Sequence, residues 1–536
     1  MASPQTFTEL LNATVEEHPG REAVVGGDTR YTFSELQDRV DEFARGLASI
    51  GVKKGDHVGV LLSNCPEWFV ANLAIQRLGA TMVGLNTWHQ QEELAYTLRT
   101  AEVSTLIAMG LFENNDYVDM LENIAPAIAD GGRGYPNAES LPHLRNVVLL
   151  RTERDWAYTW EEVANEQTVS AAVVERMSET VRPDTAAYIL FSSGTTGQPK
   201  PIELTHDAIV TNARGIGARL GITAKDRFWV PVPLFFSLAA CHEAIVALYY
   251  GATNVLQERF EPNEALRLLS EEECTVLYAM GNMLRDLEAQ SDNLAETLSS
   301  ARILQTVAPE AIRRRYEDKY GVDLSITGYG LTETSAVCAM TSHKADKETR
   351  MTTEGRPLPY NDIRIKDFDS GEEVPPGEEG EVCVRSRSMF RRYYNKPEQT
   401  REAIDDEGYL HTGDVGHLDE AGRFHFIDRV KDIIKVGGIS VSPAEVESTL
   451  SQHPSVEESV VFGIPDEEDD DKVVVAAIVG EDGFEDVEEL RSFCRDRLAS
   501  YKVPKHIHFY DDELPRTGSG KVKKTELRDI AIEERS

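Results

Sequence analysis

Along most of the chain, short apolar runs alternate with stretches in which apolar side chains recur every three or four residues. Residues 57–62 (HVGVLL) and 81–85 read as strands, and residues 31–49 and 66–78 as helices, the first opened by Thr32 or Ser34. Such alternation predicts an α/β architecture with largely parallel sheets. Residues 110–142, which include DGGRGYPNAESLP, are the least regular part and predict a surface excursion. Gly and Pro at turn spacing in residues 369–381 (DSGEEVPPGEEGE) join two predicted strands, DIRIKDF and EVCVRSR. After Arg429 the texture changes: VKDIIKVGG is followed by a helix from Pro443, the runs SVVFGI and VVVAAIV, and a helix from Asp486. The pattern predicts a large N-terminal domain of mixed sheets flanked by helices, residues 1–429. A smaller C-terminal α/β domain, residues 430–536, is hinged to it near 428–432. No internal repeat is evident.

Charge changes the picture of possible partners. The 536 residues carry 92 Asp+Glu against 55 Lys+Arg, a net charge of −37. A surface this anionic repels phosphate backbones and acidic headgroups, which excludes nucleic acid as a natural partner. The acidity is spread along the chain, its densest block being only residues 466–471, as on a solvated surface suited to a salt-rich cytoplasm. Six cysteines (Cys65, Cys241, Cys274, Cys338, Cys383, Cys494) lie far apart without a C-x-x-C pair, which predicts neither a disulfide framework nor a thiolate zinc site. No basic start with an apolar stretch marks a signal peptide, and no uncharged apolar run reaches the roughly 18 residues that span a bilayer. A cytoplasmic protein without a transmembrane segment is expected.

The most informative chemistry lies at residues 188–206, YILFSSGTTGQPKPIELTH. A strand runs into a loop of Ser, Thr and Gly, followed by Lys200. Gly194 and Gly197 let backbone N–H groups turn toward a polyphosphate; the hydroxyls of Ser192, Ser193, Thr195 and Thr196 can donate, and Lys200 adds a cation. It is not a Walker A loop: counted from Gly194, the sixth position is Pro199, and Pro201 follows Lys200 where Ser or Thr is required. By composition alone such a stretch is an ordinary loop; the order S-S-G-T-T-G-x-P-K after an apolar strand is far more specific.

That order resembles the signature of the adenylate-forming superfamily, which includes acyl-CoA synthetases, luciferase-like enzymes and adenylation domains of peptide synthetases. Further segments follow in the family's order. GYGLTET (328–334) resembles its adenine and magnesium segment, GEVCVR (380–385) the strand before the domain junction, and YLHTGD (409–414) the ribose motif. DRVKDIIKVGGISVSPAEVE (428–447) is similar to the hinge segment, and LPRTGSGK (514–521) to the loop with the catalytic lysine. The resemblance covers nearly the whole chain.

It implies a two-step reaction. A carboxylate attacks the α-phosphate of ATP, giving acyl-AMP and pyrophosphate, and coenzyme A then displaces AMP. Such chemistry needs positioning and charge neutralisation. By the resemblance, Thr195, Thr196 and Lys200 hold the leaving phosphates, Tyr329 between Gly328 and Gly330 stacks on adenine, Thr332 holds the α-phosphate, and Glu333 ligates Mg²⁺. Asp414 accepts hydrogen bonds from the ribose hydroxyls and Arg429 adds a second contact. Lys431 is the hinge of a mobile lid; Lys521 bridges substrate carboxylate and α-phosphate; Gly437 and Gly438 line the path of the pantetheine arm once Lys521 swings away. The enzyme is expected to act as a monomer or homodimer.

The acyl pocket is less legible. Residues 230–252 are strongly apolar, as is 280–283, and either could be plain core. Phe235-Phe236 replaces the Phe-Asp of amino-acid adenylation domains, which points to an apolar acid. His242-Glu243 opens like a zinc motif, but Val246 stands where the second His is needed. Three positions depart from the family: Pro201 where Gly usually continues the loop, Phe236 where His is frequent, and LQTVAPE (304–310), shortened and without the usual glycines. The leading expectation is a CoA ligase for a medium- or long-chain fatty acid. An aryl-acid CoA ligase, an adenylating enzyme that loads a carrier protein, and a non-catalytic nucleotide-binding relative stay open; Gly437-Gly438 favours coenzyme A over the carrier.

Overall fold

A computed structural model describes all residues except 1–2, 135–137, 166, 193–198, 369, 430–431, 433, 437–438, 466–471, 499, 511–512, 517–521 and 534–536, and leaves out the side chains of 435, 439–440 and 482. Two compact units make up the chain: residues 1–362 with 385–409, and residues 363–384 with 410–536.

The described residues of the first unit build two large sheets. In the eight-stranded sheet, strands run in the order Arg392–Tyr393, Lys200–Thr205, Ala186–Ser192, Thr81–Gly84, His57–Leu61, Thr105–Met109, Asn146–Leu150 and Tyr158–Thr159. It is parallel apart from the two pairings made by Lys200–Thr205. The seven-stranded sheet is parallel except where Thr29–Thr32 pairs with Glu22–Gly26. Thr32 caps the helix Phe33–Ser49: its hydroxyl accepts the Glu35 N–H (3.2 Å) while the Glu35 carboxylate accepts the Thr32 N–H (2.8 Å). The helix Pro66–Arg77 is buried on nearly every side, so its polar residues find internal partners: Asn72 donates to the Tyr188 hydroxyl (2.7 Å) and Gln76 to the Ala187 carbonyl (2.9 Å).

Residues 110–142 are more regular than the sequence suggested. They hold a helix, Tyr117–Ile124, capped by Asp116, whose Tyr117, Val118, Leu121 and Ile124 are buried. The Gly-rich end of the segment hid this stripe of apolar side chains one turn apart. Among the described residues no helix is long and apolar enough to cross a membrane.

At one edge of the seven-stranded sheet, Asp226 ties three strand starts together. Its carboxylate accepts two hydrogen bonds from Arg302 (2.6 and 2.7 Å), one from the Thr275 hydroxyl (2.8 Å) and one from the Thr223 N–H (2.8 Å). Burial alone would raise its pKa, but the Arg302 guanidinium and the donated hydrogen bonds hold it below the usual carboxylate value. A depressed pKa contributes stability above the unfolded-state pKa of about 3.9, and that contribution disappears as pH falls through the native value. Asp226→Asn is therefore expected to lower unfolding free energy by about 3 kcal/mol at neutral pH. In urea titrations the gap to wild type should narrow as pH drops below about 4; a gap independent of pH would contradict this account.

In the second unit, a four-stranded sheet runs in the order Asn361–Lys366, Gly380–Ser386, Leu410–Leu418, Phe424–Arg429. Beyond it the strands Val456–Pro465, Lys472–Gly480 and His506–Tyr510 form a sheet with an apolar cluster on each face. Val461, Val474, Ala476 and Ile478 belong to one cluster, and Val460, Phe462, Val473, Val475 and Ala477 to the other. Burial on both faces explains why VVVAAIV is apolar without alternation.

Candidate functional site

In the first unit the site is built on an antiparallel ladder. Strands Ala186–Ser192 and Lys200–Thr205 pair so that Ser192 stands opposite Lys200 at the mouth of the Ser/Thr/Gly loop. Ser193, Gly194, Thr195, Thr196 and Gly197 lie outside the described residues. On its other edge Lys200–Thr205 takes Arg392–Tyr393 as a short partner, with Ile202 opposite Tyr393. The Tyr394 N–H donates to the Pro201 carbonyl (2.8 Å), so this proline stays in the ladder although it brings no donor. Buried Glu203 is answered by Arg392, whose Nε and a terminal nitrogen both reach its carboxylate (3.0 and 2.9 Å).

That edge strand links two of the residues singled out in the sequence. The Lys200 ammonium sits 5.0 Å from the centre of the Tyr393 ring, and the Tyr393 hydroxyl donates to Glu333 Oε1 (2.9 Å). Burial first, and the Glu333 carboxylate second, push the Tyr393 phenol well above its ordinary pKa, so it remains a donor. The Glu333 carbonyl in turn accepts the Phe390 N–H (2.7 Å). Thr332, beside it in the tight turn Thr332–Thr334, shares a hydrogen bond with Ser237 (3.1 Å). A carboxylate with a neighbouring hydroxyl is the hard-oxygen donor set that Mg²⁺ takes when phosphate oxygens and water complete its shell.

The turn is held under strain. Ser335 and Ala336 have φ of +56° and +88°, a region costly for residues with a Cβ. The Asn212 side chain clamps this backbone by donating to the carbonyls of Ser335 (2.7 Å) and Val337 (3.0 Å), and the Ser335 hydroxyl donates to the Ser388 carbonyl (2.8 Å). Before the turn, Gly328-Tyr329 forms a hairpin with Ala339-Met340. A Cβ on Gly330 would lie 2.3 Å from the Ala336 carbonyl oxygen, so the second glycine is demanded by backbone packing. Tyr329 is buried.

Beside the hairpin lies a cavity of about 70 Å³, with Gly328, Gly330, Leu238, Met280 and Val337 in its wall. The segment 304–310 also contributes. Its turn is closed by the Thr306 hydroxyl, which accepts the Ala308 N–H (3.0 Å) where a glycine would otherwise bend the chain. Phe236 packs with Phe235 and Trp88, at centroid distances of 4.3 and 5.7 Å.

Asp414 and Arg429 belong to the second unit. Asp414 stands opposite Arg429 across two antiparallel strands, and its buried carboxylate lies 3.0 Å from Arg429 Nε. Cys383 pairs with His411 while Glu381 pairs with Val415, so residues 412–414 bulge from the ladder. Gly413 takes the left-handed conformation there (φ +69°). Glu381 accepts the Gly413 N–H (3.1 Å), and Thr412 accepts the Asp414 N–H (3.1 Å) while donating to the Val382 carbonyl (2.7 Å). Lys431, Gly437, Gly438 and Lys521 lie outside the described residues.

Three supporting residues escaped the sequence analysis. Tyr393 lies in RRYYN, whose charges suggest plain surface; only the pairing of Arg392–Tyr393 with Ile202 and Glu203 brings it under Lys200. Asn212 and Ser237 reach the turn through tertiary contacts that no local spacing signals. Tyr393→Phe is expected to raise KM for Mg·ATP about tenfold, the value of one hydrogen bond to a charged acceptor, with a smaller change in the KM of the acid. A Mg·ATP titration with the acid saturating is the measurement, and equal KM in both proteins would remove Tyr393 from the site.

The first unit thus brings a cation, a tyrosine and a carboxylate together beside a strained turn. The AMP-binding enzyme family model matches residues 11–394, and its C-terminal domain matches residues 445–521. The chain is 31% identical over 535 residues to the putative acyl-CoA synthetase YngI of Bacillus subtilis, covering 98% of this chain and 97% of that one. To the human mitochondrial medium-chain acyl-CoA ligase ACSF2 it is 31% identical, covering 98% and 87%. The crystal structure of the anthranilate CoA ligase AuaEII with anthranoyl-AMP matches with a TM-score of 0.85 at 27% identity, covering 98% and 97%. The chain belongs to the AMP-binding enzyme family, as an AMP-forming acid–thiol ligase that uses ATP, Mg²⁺ and coenzyme A.

Proposed function

We propose that this ligase activates an apolar carboxylic acid, a medium- or long-chain fatty acid, to acyl-AMP and passes the acyl group to coenzyme A. The observation that carries the reading is the Lys200–Tyr393–Glu333 cluster, adjoining by sequence the Gly328–Gly330 wall of a cavity otherwise faced mainly by aliphatic side chains. Lys200 and the Ser/Thr hydroxyls of residues 192–196 neutralise the departing pyrophosphate. Thr332 orients the α-phosphate, and Glu333 is the protein ligand for Mg²⁺, which neutralises phosphate charge when bound. Asp414 and Arg429 grip the ribose. Residues 430–536 act as the lid, turning about Lys431: Lys521 serves the first step, and Gly437-Gly438 admit the pantetheine arm for the second. All six cysteines are buried and none forms a disulfide, in keeping with work in a reducing cytoplasm.

An aryl acid is the second reading, favoured by the ring cluster Trp88, Phe235 and Phe236, which offers flat apolar faces. Release of AMP measured with coenzyme A, from butyrate through palmitate and with benzoate and coumarate, separates the two. Turnover that rises with alkyl chain length supports the fatty acid, a preference for the aryl acids the alternative, and no release with any acid would reject both.

A further inference from the structure

In the second unit, three side chains bring ligand atoms of different chemistry to one point: Glu381, Cys383 and His411. Glu381 and Cys383 are alternate residues of the strand Gly380–Ser386, so both stand on one face of the sheet. His411 is directly opposite Cys383 on the next strand. The carboxylate oxygen, the thiol sulfur and a ring nitrogen all lie within 4.8 Å of one another. His411 Nδ1 is 2.8 Å from Glu381 Oε2 and 3.6 Å from Cys383 Sγ. Along the chain the set is invisible, because 28 residues separate the thiol from the imidazole.

A ring nitrogen has one in-plane lobe, and here two groups face it. A proton on Nδ1 serves the carboxylate but cannot serve the sulfur as well, whereas one cation serves all three atoms. Across a tetrahedral zinc ion, bonds of about 2.3 Å to sulfur and about 2.0 Å to nitrogen put those two atoms about 3.5 Å apart. The separation of Cys383 Sγ and His411 Nδ1 is already 3.6 Å. The nitrogen–oxygen distance has to widen by only about 0.5 Å, which a small rotation of the carboxylate supplies. The ligand set also selects the ion: thiolate and imidazole suit zinc, whereas Mg²⁺ and Ca²⁺ take hard oxygens. The other oxygen of Glu381 accepts the Gly413 N–H (3.1 Å), the kind of second contact that orients a ligating carboxylate.

Access and charge fit as well. Cys383 is fully buried, while His411 and Glu381 keep 32% and 21% of their side chains exposed, which leaves a route from solvent and a place for water as fourth ligand. On binding, the thiol releases its proton to water and the imidazole carries its proton on Nε2. The ligands are then thiolate, neutral imidazole and carboxylate, and the two anions offset the charge of the ion.

We infer that Glu381, Cys383 and His411 bind one divalent cation of the zinc class, at a site that differs from the Mg²⁺ ligand Glu333 in its residues and in its chemistry. By fixing Glu381, the ion braces the Gly413 N–H and with it the bulge that carries Asp414.

Co²⁺ is the probe, because a cobalt–thiolate bond gives an ultraviolet charge-transfer band that oxygen and nitrogen ligands do not. The full-length protein, freed of metal by a chelator, is titrated with Co²⁺ and then with Zn²⁺. One equivalent of Co²⁺ should develop the band, one equivalent of Zn²⁺ should remove it, and a large excess of Mg²⁺ should leave it in place. Cys383→Ser should lose the band. His411→Ala should weaken Zn²⁺ binding about 100-fold or more, since even an outer contact to a ligand is worth about 10- to 100-fold. A wild-type protein that shows no band with Co²⁺, a band that persists in Cys383→Ser, or a zinc affinity unchanged in His411→Ala would overturn the site. If either variant fails to fold, anomalous diffraction at the cobalt edge from wild-type crystals locates the ion without any substitution. Cobalt bound anywhere other than among these three side chains would refute the assignment.

Discussion

Lys521→Ala should reduce acyl-AMP formation, measured as acid-dependent pyrophosphate exchange, by about 100- to 1,000-fold, the effect of removing one charge-stabilising donor from a reacting centre. The loss should be confined to the first step. Supplied with preformed acyl-AMP, the variant should still make acyl-CoA at a rate within a few-fold of wild type, because the proposed cycle withdraws the lysine when coenzyme A attacks. The contrast between the two halves is the decisive measurement. Exchange at the wild-type rate would remove Lys521 from the chemistry; equal loss in both halves would mean that the substitution damages the small unit as a whole.

Asp414→Ala is expected to have the second-largest effect, on nucleotide affinity. Two ribose hydroxyls donating to a buried carboxylate are worth about 1.5–3 kcal/mol each, so KM for ATP should rise on the order of 100-fold. Part of the penalty comes from Arg429, whose partner 3.0 Å away disappears. Asp414→Asn keeps an acceptor oxygen and should lose less, and Arg429→Ala less again because that side chain is 40% exposed. The order Ala, Asn, Arg429→Ala in ATP titrations is the signature of a ribose contact. An ATP KM unchanged in Asp414→Ala would show that this carboxylate only braces the bulge.

What the sequence made legible follows from how local each signal is. The helix after Thr32 could be read because its cap, its Glu35 partner and its apolar face all lie within a few turns. Ser192 and Lys200 could be bracketed around a loop because strand, glycines and lysine are contiguous. Tyr393 could not, since its role depends on 190 residues of chain returning to an edge strand. The helix Tyr117–Ile124 was hidden by the glycines and proline that follow it, and the glycine-free turn at 306–308 by a threonine hydroxyl standing in for backbone freedom. The two glycines of GYG show a third situation: a motif that suggests ligand contact also answers to packing, with Ala336 and Ala339 carbonyls where side chains would be.

The paired apolar layers around the strands Val456–Pro465, Lys472–Gly480 and His506–Tyr510 bear on the energetics of catalysis. A body that carries its own interior on both sides of its central sheet can be swivelled without wetting a single one of those side chains. Reorientation of such a body asks for torsional change at a few peptide units and for no opening of its core. In the proposed two-step cycle, such a body presents the same catalytic centre with two different faces while both of its apolar layers stay covered.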